Sequence, residues 1–266
     1  MALSVTIVTA FFDIDREHKG DGRSINDYLQ WIKKTLKLNC FLYIITENKF
    51  FDYINTHRPI EYKHKTIIKI DTFENALYYK YLDRIREICN SSEYKSKIMH
   101  PNRVECILPE YNVIQYSKFG WLIDCIRENP FNSRYFFWMD IGISRFFENF
   151  NLANAFPNPD KLNQLLQLSK LHQFIIQKRA DLDVLIEEDI QWRSDNLLKG
   201  GMFGGTSECI HTISEKLEHI FKNDMLDHNN VNNEQIALSL LYKKEPELFY
   251  LIADNNKPCN LLSSLF

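Results

Sequence analysis

Five consecutive apolar residues, Tyr135-Phe-Phe-Trp-Met139, run straight into a lone carboxylate, Asp140, followed by Ile141-Gly142. The run is short and aromatic and follows a Pro130-Phe-Asn132-Ser133 turn signal, so it reads as a fully buried strand. Strands covered on both faces belong to mostly parallel sheets with helices on each side. In such sheets ligands bind beyond the carboxyl ends of the strands. Asp140 is the acidic group this strand delivers to that edge, and Gly142 lets the backbone turn close to a ligand. Asp-x-Gly is also a common turn cap, so this stretch alone leaves cap and site both open.

The surrounding chain supplies the alternation that an open α/β sheet requires. Ser4 to Phe12 reads as a first strand and Cys40 to Thr46 as a second, with Thr66 to Ile70 as a third. Between the first two lies a helix with Ser24 as N-cap and Asp27 as its capping-box partner. Lys49 to Thr56 predicts a short helix, and Glu74 to Cys89 a longer one followed by a polar loop through Pro101. After Asp140 the pattern gives a helix over Lys161–Leu171 and a strand over Gln173–Gln177. Residues 178 to 198 read as irregular. A helix over Ser207–Phe221, another opened by Asn233-Glu234-Gln235, and a last strand over Leu248–Ala253 complete the order. No repeat or linker interrupts it, so residues 1–266 read as a single domain.

Three features stand out against that frame. The segment Glu110–Glu128 predicts a helix whose apolar stripe, Ile114, Trp121, Leu122 and Cys125, has Lys118 in its middle. A lysine there either snorkels to water or meets a buried anion such as a phosphate. Secondly, four of the eight glycines fall within Gly200-Gly-Met-Phe-Gly-Gly205, which demands special backbone angles or close backbone approach. A P-loop is excluded because the Gly-Lys-Ser/Thr ending is absent. A Rossmann fingerprint fails on spacing and on the lack of a preceding strand. A pocket wall or a tight turn remains. Thirdly, Arg16 and Arg23 lie in the polar loop after the first strand, where they either grip phosphate or face solvent.

Charge and composition narrow the partners. The net charge is −3, which gives no overall pull toward nucleic acid or anionic lipid. No apolar run approaches the roughly 18 residues of a membrane span. The apolar N-terminus lacks a basic leader and meets Asp13 and Asp15 at once, so it reads as a strand and not a signal peptide. Six widely spaced cysteines without Cys-x-x-Cys point to buried, reduced thiols and a cytoplasmic location.

In this order, the polar loop after the first strand, the inward lysine, the strand-end Asp-x-Gly, the glycine segment and the helix-opening Asn-Glu-Gln resemble the GT-A class of nucleotide-sugar glycosyltransferases, in which an Asp-x-Asp motif ends a central strand. More closely, Thr6-Ile-Val-Thr-Ala-Phe-Phe-Asp13, Phe137-Trp-Met-Asp-Ile-Gly142 and Lys199-Gly-Gly-Met-Phe-Gly-Gly205 resemble the HtrL/YibB family of bacterial glycosyltransferase-like proteins. The glycine segment followed by a helix-opening Glu is more distantly similar to blood-group-type retaining galactosyltransferases. The resemblance implies a GT-A-like (Rossmann-like), mostly parallel sheet flanked by helices. It implies a nucleotide-sugar donor, uridine-linked, a glycan or protein acceptor in surface-glycan synthesis, and Mn²⁺ or Mg²⁺ at Asp140. Asp140 and Gly142 would face the donor and Lys118 its diphosphate or uracil side. Thr9, Phe11, Phe12, Asp13 and Arg16 would hold the nucleoside, and Gly204 and Gly205 would line the sugar pocket.

Glu234 would face the anomeric carbon or the acceptor hydroxyl, with Asp195 in reserve. A carboxylate at the opening of a helix also favours the helix dipole whatever else it does. Gly142 stands where the second Asp of the motif is expected, which removes one metal ligand. Mg²⁺ can use a single carboxylate with phosphates and water. The same Gly142 favours a second reading, a non-catalytic nucleotide-sugar-binding or scaffold relative. A nucleotidyltransferase would need paired metal-binding carboxylates on neighbouring strands, which the sequence does not offer.

Overall fold

Seven strands form one sheet in the order β3-β2-β1-β4-β6-β5-β7. They are β1 (Val5–Phe11), β2 (Phe41–Thr46), β3 (Thr66–Ile70), β4 (Tyr135–Met139), β5 (Phe174–Lys178), β6 (Leu198–Thr206) and β7 (Phe249–Ile252). The computed structural model describes residues 4–170, 172–179, 181–193 and 197–266. Strands β1 to β4 run parallel to one another, and β7 is parallel to β5. Strand β6 is antiparallel to both neighbours, β4 and β5. The architecture is the α/β, mostly parallel sheet flanked by helices that the alternation predicts.

Side chains alternate across each strand, and here both faces are apolar. Val8, Tyr43, Phe136, Trp138, Phe174 and Phe203 point to one layer, packed by helices Leu82–Asn90, Pro109–Glu128, Ser207–His219 and Glu234–Lys244. Ile7, Leu42, Ile44, Phe137, Met139 and Ile175 point to the other, covered by helices Ile25–Thr35, Phe51–His57 and Pro159–Leu168 and by Leu261, Leu262 and Leu265. All six cysteines are buried and unpaired. Among the described residues no helix is long and apolar enough to cross a membrane.

Ser24 caps its helix with the reciprocal capping box to Asp27. The expected helix over Glu74–Cys89 is instead two 3-10 turns, Phe73–Asn75 and Tyr79–Tyr81, before a helix over Leu82–Asn90. The break buries Tyr78 against Tyr116, Tyr81 and Phe221, and its N–H donates to the Ser117 hydroxyl. The loop expected up to Pro101 contains a further helix, Ser92–Lys97, capped by Ser91.

The glycine segment is itself a strand, β6, and not a tight turn. Phe136 lies opposite Gly205 and Phe137 opposite Gly204. A β-carbon on Gly204 would stand 2.4 Å from the Phe136 carbonyl oxygen and 2.6 Å from the Phe137 ring. Gly204→Ala is therefore expected to lower stability by about 1–3 kcal/mol through overpacking, read as the urea midpoint. An unchanged midpoint would show that β4 and β6 do not pack this closely.

Candidate active site

Three elements converge where β4 ends. Trp138 and Asp140 lie two residues apart and share a face, so the indole N–H of Trp138 donates to Asp140 Oδ1 at 2.8 Å. That face is covered by the Pro109–Glu128 helix, which brings Lys118 to within 3.2 Å of the same oxygen. The Lys118 ammonium also donates to Glu234 Oε1 at 2.8 Å and to the Gly200 carbonyl at 3.0 Å. It thus donates two hydrogen bonds and forms an ion pair with Asp140, and it lies 5.7 Å from the centre of the Trp138 ring.

This is a buried charge cluster. Lys118 is 1% exposed and Glu234 0%, whereas the Asp140 side chain is 31% exposed. Burial works against the Lys118 charge, but Asp140 and Glu234 outweigh it and raise its pKa above the usual lysine value. Burial raises the pKa of the Glu234 carboxyl, opposed by Lys118. Glu234 Oε2 has no hydrogen-bond partner. Glu234 opens its helix behind the Asn233 cap, so the dipole role and the ion pair coexist. A β-carbon on Gly200 would fall 1.9 Å from Glu234 Oε1, so glycine at 200 is what admits this carboxylate.

Asp140 stands between two cavities and lines both. The narrower is an aromatic slot walled by Phe11, Phe12, Tyr28, Tyr111 and Trp138. Behind it Phe12 stacks on Trp121 with centroids 5.2 Å apart, and Trp121 stacks on Trp138 at 5.9 Å. The wider is a polar cleft of about 720 Å³, walled by Gly200, Gly201, Lys199, Arg145 and Arg179 among others. Arg145 is carried by the 3-10 turn Ile141–Phe146. The hydroxyl of Thr35 donates to the Ile141 carbonyl at 2.8 Å and that of Ser144 to the Trp31 carbonyl at 2.7 Å, which fixes this turn on the Ile25–Thr35 helix.

The residues singled out from sequence are distributed unevenly around these spaces. Phe11, Phe12, Asp13, Arg16, Arg23, Lys118, Asp140 and Gly142 all line the slot. Arg16 is already held by a two-pronged pair with Asp21, at 2.6 and 2.8 Å, and Asp13 pairs with Lys49 at 3.1 Å. Thr9 does not reach a cavity; it lies inside β1, buried, with its hydroxyl unpartnered. Gly204 and Gly205 also lie away from the cavity walls. Because β6 runs antiparallel to β4, only its first residues reach the carboxyl edge, and Gly200 and Gly201 form the wall instead. Glu234 is fully buried behind Gly200 and lines neither cavity; its partner Lys118 lines the slot. Asp195 lies outside the described residues. Arg145 and Arg179 were not singled out by sequence reasoning, although Arg145 follows Asp140 by five positions.

A divalent cation is the group this fold class implies, and the donor set does not fit one. Asp140 Oδ1 is occupied by Trp138 and Lys118, leaving one oxygen beside an ammonium bound to the same carboxylate. Position 142 supplies no ligand. The other cleft carboxylates are paired: Asp21 with Arg16, Glu105 with Arg103 at 2.9 Å, and Asp254 with Gln177 at 2.5 Å. Among the described residues no group of three or more His, Cys, Asp or Glu side chains could hold a metal.

The sheet order, with the crevice at the carboxyl edge of β1 and β4, defines a GT-A-type fold. The chain belongs to the HtrL/YibB family, described as bacterial proteins of unknown function, whose family model matches residues 3–257. Among solved structures it is similar to core-mannan synthase A (CmsA/Ktr4) of Aspergillus fumigatus in its Mn/GDP form. That likeness has a TM-score of 0.51 at 10% identity and covers 96% of this chain and 73% of the other. A cytidylyltransferase of Leptospira borgpetersenii gives 0.41 at 11% identity, over 96% and 77% of the two chains. The PaToxG glycosyltransferase gives 0.38 at 9% identity, over 99% and 76%. At such identities the likeness is one of fold alone. No curated protein matches the sequence.

Proposed function

We propose that this chain is a glycosyltransferase that moves a sugar from a nucleotide-sugar donor, uridine-linked in the first instance, to a glycan acceptor. The observation that carries the reading is the position of Asp140, a half-buried carboxylate at the junction of an aromatic slot and a cationic cleft. The slot suits a nucleoside, since bases stack on aromatic rings. The cleft suits a diphosphate and the sugar beyond it. In transfer the bond from the anomeric carbon to the diphosphate breaks as the acceptor oxygen bonds to that carbon, and the acceptor proton passes to the Asp140 carboxylate. Lys118 and Glu234 are positioning residues that fix Asp140; Asp195 stays a candidate for a second carboxylate.

Gly142 in place of a second carboxylate, with Glu234 sealed from the cleft, favours a non-catalytic binding relative as the second reading. Incubation with UDP-, GDP- and CDP-sugars separates the two. The enzyme is expected to release free nucleotide from at least one of them, with a matching rise in melting temperature on adding that nucleotide. A rise without release would favour the binding relative, and neither effect with any nucleotide would end both readings.

A further inference from the structure

We infer that the donor's diphosphate is neutralised here by two arginines, Arg145 and Arg179, in place of a divalent cation. The inference deepens the proposed function and rests on its reading of the cleft as a nucleotide-sugar site.

It starts at position 142. A β-carbon there would stand 3.4 Å from Arg145 Nη1 and 3.1 Å from Trp31 Cε3. The space beside Asp140 that a second carboxylate would need is therefore bordered by a guanidinium. Arg145 is also held in place: its central carbon lies 5.3 Å from the Trp31 ring centre and 4.6 Å from that of Phe146. Stacking of this kind fixes the plane of a guanidinium and leaves its N–H edge for a planar or tetrahedral oxyanion.

Arg179 reaches the same cleft from the end of β5, where its backbone N–H donates to the Leu197 carbonyl at 2.9 Å. Among the described residues neither Arg145 nor Arg179 has a carboxylate partner. The neighbouring cations differ in this respect, since Arg16 is neutralised by Asp21 and Lys199 lies 3.5 Å from Asp254. Among the described residues the cleft thus holds two guanidiniums without a carboxylate partner, while its carboxylates Asp21, Glu105, Asp140 and Asp254 each already have a cationic one. That balance suits a dianionic ligand and repels a further cation.

The chemistry is the same that a metal would serve. As the anomeric carbon–oxygen bond breaks, its electron pair and negative charge move onto the leaving diphosphate. Charge-assisted, two-pronged hydrogen bonds from the two guanidiniums, of which Arg145 is held against Trp31 and Phe146, stabilise that developing charge.

Calorimetric titration of the whole chain with inorganic pyrophosphate and with UDP, once in EDTA and once in Mn²⁺, tests this. Both probes are expected to bind in EDTA, with Mn²⁺ tightening neither. Arg145→Gln and Arg179→Gln should each weaken pyrophosphate binding by about tenfold or more, at an unchanged melting temperature. Arg145→Lys, which keeps the charge and loses the fork, should recover part of that loss. Binding of UDP only with Mn²⁺ would overturn the arginine clamp and leave the proposed function standing. Pyrophosphate binding in EDTA with no binding of any nucleoside diphosphate would sustain the clamp and overturn the nucleotide reading. If neither probe binds under either condition, both fall.

Discussion

Replacing Lys118 by methionine is expected to destabilise the chain by about 3–5 kcal/mol, the usual cost of removing one partner from a buried ionic group. The substitution nearly preserves volume, so the loss is electrostatic. Glu234 would be left wholly buried with neither oxygen partnered, and Asp140 would keep only the Trp138 N–H. Glu234→Gln in the Lys118→Met background should restore a large part of the loss, because it removes the uncompensated charge. Urea titration of the wild type, both single variants and the double variant measures the coupling. A Lys118→Met variant within about 0.5 kcal/mol of wild type, the range of an ordinary surface change, would mean that the ammonium is not locked as described. The pH dependence follows in sign. The pKa of Lys118 is raised above 10.5, so its contribution is complete at neutral pH and is lost only as pH rises through that raised value.

Asp140→Asn should do the reverse, leaving the fold nearly intact and removing the chemistry. The amide oxygen can still accept from the Trp138 N–H and sit beside the Lys118 ammonium, so geometry is preserved. What disappears is the negative charge at the junction of slot and cleft, and with it the proton acceptor of the proposed transfer. Release of nucleotide from the productive donor is expected to fall by about 10²–10⁴-fold, the range for loss of a positioned base. Free nucleotide should still bind. An Asn variant that keeps more than a tenth of the wild-type rate would show that another group takes the proton.

Much of this arrangement was legible because the local signals were strong and agreed with one another. The aromatic run at Tyr135–Met139 has a single reading as a buried strand, and Ser24 with Asp27 marks a helix start that the chain uses. Lys118 was visible as an anomaly, since a charge inside an apolar stripe demands a partner. Which partner was not visible, because Glu234 is 116 residues away in sequence. The glycine segment misled for a physical reason. Glycine weakens strands and marks turns, and nothing local reveals that β4 and β5 will recruit such a segment as the antiparallel strand between them. Without the strand direction, Gly204 and Gly205 looked equivalent to Gly200 and Gly201. Arg145 was overlooked because an arginine after a turn has no signature of its own; only Trp31, from a different helix, gives it a fixed orientation. The helix expected over Glu74–Cys89 failed where burial of Tyr78 outweighed local propensity.

The reversed sixth strand has one more effect, on alignment of the sheet. Sliding β6 by one residue along β4 would bring Lys199 or Gly201 to the place that Gly200 holds. A lysine there would drive its β-carbon toward the carboxylate oxygen that now lies 1.9 Å from that position, and a slip either way would turn every side chain of the strand to the opposite layer. The sealed acid therefore works as a gauge against the slip that brings Lys199 in, since it admits only a residue without a side chain, while the opposite slip is opposed by the apolar layers. Assembly of the charge cluster and correct zippering of the central strands are in that sense one event.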